Sequence, residues 1–273
     1  MEIDSGIYKV YYFSDRGSKR RLNQDNLYIN GCVNLLCRPS VEGEETLDTQ
    51  TMQVVALFDG MGGETDGEKA AFVAAETMEY FCRAMGNIAS KETVKQALQE
   101  YYQAYLNTLE EMLEDEEAVS GTTCTAILLD QQQLIPFWVG DSRAYLLRNG
   151  VLTRLTKDHT LAQIAIDQGE LSEEEAKKTR SWHMLTSYMG QPEEEFEVGE
   201  AISIRAGDML FLCSDGITDA FTDAQLQQWF EKEPAVWIDE MKKWAKENAD
   251  DNCTGIAIYV EQEPVLGSGE EEV

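Results

Sequence analysis

Long apolar runs, paired cysteines, histidines and basic residues are all scarce in this chain of 273 residues. No segment approaches 18 uninterrupted apolar residues, so no membrane-spanning helix is expected. Met1 to Val10 lacks a basic start followed by an apolar stretch, and no secretory signal is expected either. The six cysteines (Cys32, Cys37, Cys82, Cys124, Cys213 and Cys253) contain no CxxC pair. Cys124, Cys213 and Cys253 lie in or beside apolar runs and read as small core residues, which points to a reducing, cytoplasmic location. The two histidines, His159 and His183, have no partner at metal-ligand spacing, which argues against an ordinary zinc site. Basic residues number 22 against 51 acidic ones, a net charge of -29. That field repels nucleic acid and anionic membranes, so neither is an expected partner. It also opposes any phosphorylated ligand, and a phosphate site here has to bring its own positive charge.

What is present suffices for a substantial core, with 43% hydrophobic residues. Short β-type runs recur at Tyr8–Ser14, Gln53–Phe58, Thr123–Leu129, Leu134–Val139, Ala144–Arg148, Met209–Cys213 and Gly255–Val260. Two helical stripes stand between the second and third runs. Ala71, Ala74, Ala75, Met78, Phe81, Cys82 and Met85 make the first, in a helix from Asp66 to Gly86. Val94, Ala97, Leu98, Tyr101, Tyr105, Leu109 and Met112 make the second. Residues 158–190 form a polar insertion with a helix at Leu161–Gln168 and a stretch Leu171–Lys178, where Ser172 and Glu175 fit a capping box. Helices at Asp223–Phe230 and Ala235–Lys246 precede the last strand. Strands, helices, then strands again predict an α+β layered domain and not a parallel βαβ sheet. One domain over residues 1–262 is expected, with 263–273 an acidic, disordered tail. Glu44, Glu45, Glu114–Glu117, Glu193–Glu195 and Glu270–Glu272 read as solvated surface.

Other acids follow a repeated grammar in which an apolar strand stops at Asp. Val54–Phe58 leads to Asp59-Gly60, Phe137–Val139 to Gly140-Asp141-Ser142, and Leu210–Cys213 to Ser214-Asp215-Gly216. Asp250-Asp251-Asn252 precedes the final strand. A lone Asp-Gly is usually a turn. Four acids abutting strands converge readily, and converged carboxylates repel unless a cation sits among them. Oxygen donors without paired His or Cys suit Mg²⁺ or Mn²⁺. Gly60 leaves its carbonyl open to such an ion. Gly62–Lys69 has glycines at phosphate-loop spacing, but Glu68 stands where the lysine is required, and the segment reads as a tight turn into a helix.

Seven motifs occur in a telling order: Ser14-Asp15-Arg16-Gly17 with Arg20-Arg21-Leu22-Asn23-Gln24-Asp25; Asp59-Gly60-Met61-Gly62-Gly63; Ser120-Gly121-Thr122-Thr123; Val139 to Tyr145; Thr156-Lys157-Asp158-His159; Ser214-Asp215-Gly216; and Asp251-Asn252. The set, spanning about residues 8 to 260, resembles the PPM family, the metal-dependent protein phosphatases of type 2C, and its short bacterial members most.

The resemblance implies a sandwich of two antiparallel sheets flanked by helices, with a metal centre at one end. It implies that Asp59 bridges two tightly held ions, the Gly60 carbonyl completes one, and Asp215 and Asp251 bind the other. Asp25 would hold a metal-bound water, Arg20 would grip the substrate phosphate, and Asp141 would help hold a third, weaker ion. Residues 158–190 would be a flap beside the site. The implied activity is hydrolysis of phosphoserine and phosphothreonine on proteins, opposing a bacterial Ser/Thr kinase that shares the substrates. A monomer is expected. Two metals lower the pKa of a bridging water for in-line attack, while a guanidinium pairs two phosphoryl oxygens at once. Without the motif, Arg20 would read as part of a solvated cluster with Lys19 and Arg21.

Two departures from the family pattern stand out. Met61 replaces a histidine proposed as general acid in animal members, and Gln24 replaces a frequent Glu, weakening one water-mediated link to a metal. His159 and His183 read as structural flap residues. A non-catalytic phosphoprotein binder is a different class of reading, but it should lack one of Asp59, Asp215 or Asp251. A phosphatase for a small metabolite or a dedicated regulator is a third reading.

Overall fold

A computed structural model describes residues 6–33, 38–62, 66–85, 89–113, 120–130, 132–191 and 196–262. In chain order the strands are β1 (Gly6–Asp15), β2 (Asp25–Ile29), β3 (Cys32–Val33), β4 (Ser40–Asp48), β5 (Gln53–Gly62), β6 (Ser120–Thr122) and β7 (Cys124–Asp130). They continue with β8 (Gln133–Val139), β9 (Arg143–Arg148), β10 (Val151–Arg154), β11 (Glu197–Val198), β12 (Ile202–Ser203), β13 (Met209–Cys213) and β14 (Cys253–Gln262). The helices are α1 (Asp66–Ala84), α2 (Lys91–Met112), α3 (Leu161–Asp167), α4 (Glu173–Ala176), α5 (Asp215–Thr218), α6 (Asp223–Trp229) and α7 (Pro234–Asn248), with a 3₁₀ turn at Arg180–His183.

Two antiparallel sheets result, one ordered β10-β9-β13-β14-β1-β4 and the other β11-β8-β7-β5-β2-β3. Period-two alternation explains why their strands read as unbroken apolar runs. On β5, Val54, Ala56 and Phe58 face α1 and α2, whereas Val55 and Leu57 face the opposite sheet. On β13, Leu210 and Leu212 join that central layer, while Met209, Phe211 and Cys213 pack under α6 and α7. Each sheet is therefore covered on both faces, and the expected α+β sandwich flanked by helices is the fold observed.

β2 and β4 were not visible as strands in the sequence. β4 is an acidic edge strand, with Glu42 and Glu44 exposed, which shields the open edge from further pairing. The expected strand end at Phe58 also shifts. β5 runs on through Asp59 to Gly62 because it exchanges partners, pairing with β2 and β7 first and with β6 beyond Asp59. Residues 158–190 fold as a small lobe around Ala162, Ala176 and Trp182, and the Ser172–Glu175 capping box forms. Buried Arg143 anchors the lobe to β9 through Asp158, with Nη2 donating to Oδ2 at 2.6 Å. Among the described residues, no helix is long and apolar enough to cross a membrane. Gly63 to Thr65, Gly86, Cys37, the glutamates at 114–117 and 193–195, and the tail 263–273 lie outside the described residues.

Candidate metal centre

The strand ends and turns at one edge of the sandwich meet at a cavity of about 800 Å³. Asp59, Asp141, Asp215 and Asp251 line it, with Gly60, Arg20, Gln24, Met61 and His183. Each acid arrives by a different local device. Asp59 lies within β5, Asp141 in the bend between β8 and β9, Asp215 at the start of α5, and Asp251 in the bend before β14. Asp25 opens β2 directly opposite Asp59.

The motifs around these acids are chiefly scaffolding. Asp59 is gripped through its backbone, since its N–H donates to Thr123 Oγ1 (3.0 Å) and its carbonyl accepts from Thr122 Oγ1 (3.0 Å) and the Thr123 N–H (2.9 Å). Thr123 in turn bonds Ser142, beside Asp141. Asn252 donates to the carbonyls of Arg16 (3.0 Å) and Leu22 (2.9 Å) and accepts from the Gln24 N–H, tying down the loop that carries Arg20 and Asp25. Gly60 has a tighter constraint than an open carbonyl. A Cβ there would stand 2.1 Å from the Gly67 carbonyl oxygen at the start of α1, so its bareness permits close packing.

Asp25 Oδ2 accepts from Ser214 Oγ (2.8 Å) and Thr254 Oγ1 (2.6 Å), while buried Oδ1 has no protein partner. Burial, and then the charges of Asp215 and Asp251, hold this carboxyl up to about 7 despite those two hydroxyls. Burial and then Asp25 push Asp59 well above the usual carboxylate range; burial and then Asp215 do the same for Asp141. An unpartnered buried oxygen among mutually repelling, oxygen-only donors fits hard divalent cations.

The chain's own cations reach this cluster at its rim. Arg20 Nη2 donates to Asp251 Oδ2 at 2.5 Å, while Lys19 pairs separately with Asp250, so the basic cluster divides and only Arg20 lines the cavity. His183 corrects the sequence reading. Its Nδ1 stands 3.7 Å from both Asp215 Oδ2 and Asp219 Oδ2, a grouping compact enough for a metal ion. The lobe folds back onto α5, so partners some 30 positions apart in the chain escape any spacing test. The Asp215 carboxylate beside it, and then Asp219, push the imidazole up to about 9. His159 makes structural hydrogen bonds, as expected: its ring Nδ1 accepts from the Gly140 N–H and its backbone N–H donates to the Gly140 carbonyl. Trp182, which carried no sequence signal, donates its indole N–H to Asp219 Oδ1 at 2.8 Å and lies within cation–π distance of Arg143 and Lys177.

Known proteins are similar to this chain in sequence and fold. The serine/threonine phosphatase stp of Listeria innocua is 31% identical over 218 residues, covering 79% of this chain and 80% of its own length. The crystal structure of the Mycobacterium tuberculosis phosphatase PstP superposes with a TM-score of 0.74 at 27% identity, covering 94% of this chain and all of that one. A PstP catalytic domain solved with two manganese ions gives 0.71 at 27% identity over 93% of this chain and all of its own. Residues 43–249 match the protein phosphatase 2C family, and the chain belongs to it.

Proposed function

We propose that Asp59, Asp215, Asp251 and the Gly60 carbonyl hold two divalent cations, Mg²⁺ or Mn²⁺, with Asp141 assisting a third, and that this centre hydrolyses phosphoserine and phosphothreonine on proteins. The chain is a serine/threonine protein phosphatase of the 2C family. One observation carries the metal assignment: Asp25 and Asp59 oppose each other across one ladder beside the cavity, and buried Asp25 keeps a carboxylate oxygen without a protein partner. When bound, the ions acidify a water for in-line attack and neutralise the phosphoryl oxygens.

The protein's residues supply the rest. Arg20 turns from Asp251 to fork two oxygens of the substrate phosphate, a charge-assisted contact that strengthens as charge moves outward in the transition state. Asp25, fixed by Ser214 and Thr254, offers Oδ1 to orient the nucleophilic water. Met61 carries no proton to give, so the leaving alkoxide takes its proton from a water held near Asp141. We further assign residues 1–262 to one phosphatase domain, and propose a monomer acting in the cytoplasm on phosphoproteins that a Ser/Thr kinase generates. Free thiols at Cys82, Cys124, Cys213 and Cys253 support that compartment. The decisive assay is turnover of a phosphothreonine peptide with Mn²⁺, compared with the same sample in chelator. Undiminished turnover in chelator rejects the metal assignment.

A further inference from the structure

The cavity extends past the acids assigned to metal. Beyond Asp215 its wall continues through Asp219 and Ala220, which follow α5, and through Trp244 and Asn248 on the last two turns of α7. The Asp219 N–H donates to the Asp215 carbonyl at 2.7 Å, so the two acids stand one helical turn, about 6 Å, apart on one face. The metal and phosphate chemistry uses none of these four further residues.

Their chemistry is that of a cation site with an aromatic wall. Trp244 is half-buried and held against Phe221, with ring centroids 4.6 Å apart and planes at 61°, and Phe221 rests in turn on Trp229. The indole that lines the cavity is therefore fixed from behind. Trp182 and Trp229 each have a cation of the chain over the ring, whereas among the described residues Trp244 has none. Asp219 is fixed as well. Trp182 donates to its Oδ1, leaving Oδ2 to face His183 at 3.7 Å, and that imidazole divides its charge between Asp219 and Asp215. Lys177 is engaged by the Thr218 carbonyl and the Trp182 ring. At the rim, Asp250 pairs with Lys19, but both side chains are exposed and such a pair exchanges partners at little cost.

We propose that Trp244 and Asp219, with Asp250 at the rim, form a subsite for an arginine or lysine side chain close in sequence to the phosphoresidue of the substrate. The proposal rests on the phosphatase reading above. A phosphothreonine whose phosphate meets the metal centre carries its chain neighbours along the cavity. In an extended segment the residue two positions away lies about 7 Å along, comparable with the turn that separates Asp219 from Asp215. A guanidinium suits the subsite best, because it stacks on an indole face and forks a carboxylate with the same planar group. The net charge of -29 draws any basic peptide toward the protein, so a preference for basic sequence as such would not identify the subsite. Contact with Trp244 and Asp219 predicts a preference for position.

The test uses two phosphothreonine peptides of identical composition, with a pair of arginines placed either two positions to each side of the phosphoresidue or at the two peptide ends. Saturating Mn²⁺ and physiological ionic strength are used, with p-nitrophenyl phosphate as a substrate that has no flanking residues. The unaltered enzyme should favour the flanking arginines by about tenfold in kcat/KM. Trp244→Leu keeps an apolar contact with Phe221 and should remove most of that preference through KM, with p-nitrophenyl phosphate turnover within twofold of the parent. Asp219→Asn should also remove it, read only as the ratio between the two peptides because the residue stands beside Asp215. The comparison on the unaltered enzyme needs no variant, so a variant that folds poorly does not shield the proposal. Equal kcat/KM for the two peptides overturns it. So does a preference that either substitution leaves intact, which would assign it to the general field of the protein. A Trp244→Leu variant that loses p-nitrophenyl phosphate turnover to the same degree would make the residue structural and also overturn it. Turnover of neither peptide would instead reject the phosphatase reading, and this proposal would fall with it.

Discussion

Asp25 sits directly opposite Asp59 across the ladder between β2 and β5, so a buried and a half-buried carboxylate residue are paired where β5 leaves one set of partner strands for another. Neither acid gains a basic partner from the ladder, and both are driven toward protonation. A cation reverses that preference, which makes metal binding, stability and catalysis parts of one electrostatic problem.

Asp59→Asn and Asp215→Asn keep side-chain shape while removing a ligand charge. Each should lower phosphopeptide turnover by at least about a thousandfold, with a circular dichroism spectrum like the parent's. Titration calorimetry with Mn²⁺ should show at least one binding event lost. A variant with near-parental turnover would remove that residue from the ligand set.

The coupling also has a pH signature in chelator. Asp25 is held up to about 7 in the fold, whereas its carboxyl in the unfolded chain titrates near 3.9. Because the folded value is higher, its contribution to stability is complete below about 4 and is lost as pH rises through about 7. The melting temperature without metal should therefore fall across that window, and the fall should shrink in Asp25→Asn. Saturating Mn²⁺ should raise the melting temperature most at the upper end. A rise with Mn²⁺ that is the same at pH 5 and pH 7.5 would contradict this origin.

Arg20→Ala should reduce kcat/KM for phosphopeptides roughly 10- to 100-fold, the range expected for one charge-assisted contact to phosphate. The structure adds a second effect, since Arg20 donates to Asp251. Freed of that partner, Asp251 should bind Mn²⁺ slightly more tightly in calorimetry. Unchanged kcat/KM would return Arg20 to the status of a surface cation.

Asp141→Ala should damage phosphopeptide turnover much more than turnover of p-nitrophenyl phosphate, whose leaving group scarcely needs a proton. The readout is the ratio of the two kcat values at one pH and saturating Mn²⁺. Equal fractional losses would give Asp141 a role in metal assembly instead. If His183→Ala alone shows the unequal loss, the proton comes from the lobe.

Arg143→Ala should be among the costlier single changes. It leaves Asp158 buried with Arg154 as its remaining listener and withdraws the cation facing Trp182, a loss on the order of 3 kcal/mol by denaturant unfolding. The sandwich should survive while the lobe loosens, so protease cleavage within residues 158–190 should appear before global unfolding. Parental stability and no new cleavage would show that Asp158 and Trp182 hold the lobe without it.

The sequence by itself determined the layers and marked the acids that line the cavity. Val54 to Phe58 and Met209 to Cys213 are apolar at every position, which suits strands covered on both sides, and the stripes of α1 and α2 announce the helices that cover them. Asp59, Asp141, Asp215 and Asp251 were legible because each abuts such a strand, and a chain with two histidines and no CxxC pair leaves oxygen donors for a metal. Tertiary structure alone decided the rest. β4 is too acidic, and β2 too short and polar at its start, to register as strands before β1 and β5 pair with them. Asp25 faces Asp59 only through that pairing, and Arg20 finds Asp251 only when Asn252 clamps their loops together. His183 and Trp182 reach Asp219 because the lobe folds back on α5. Contacts between residues distant in the chain leave no periodicity to read, since they depend on where whole elements come to rest and not on the spacing of residues within any one of them.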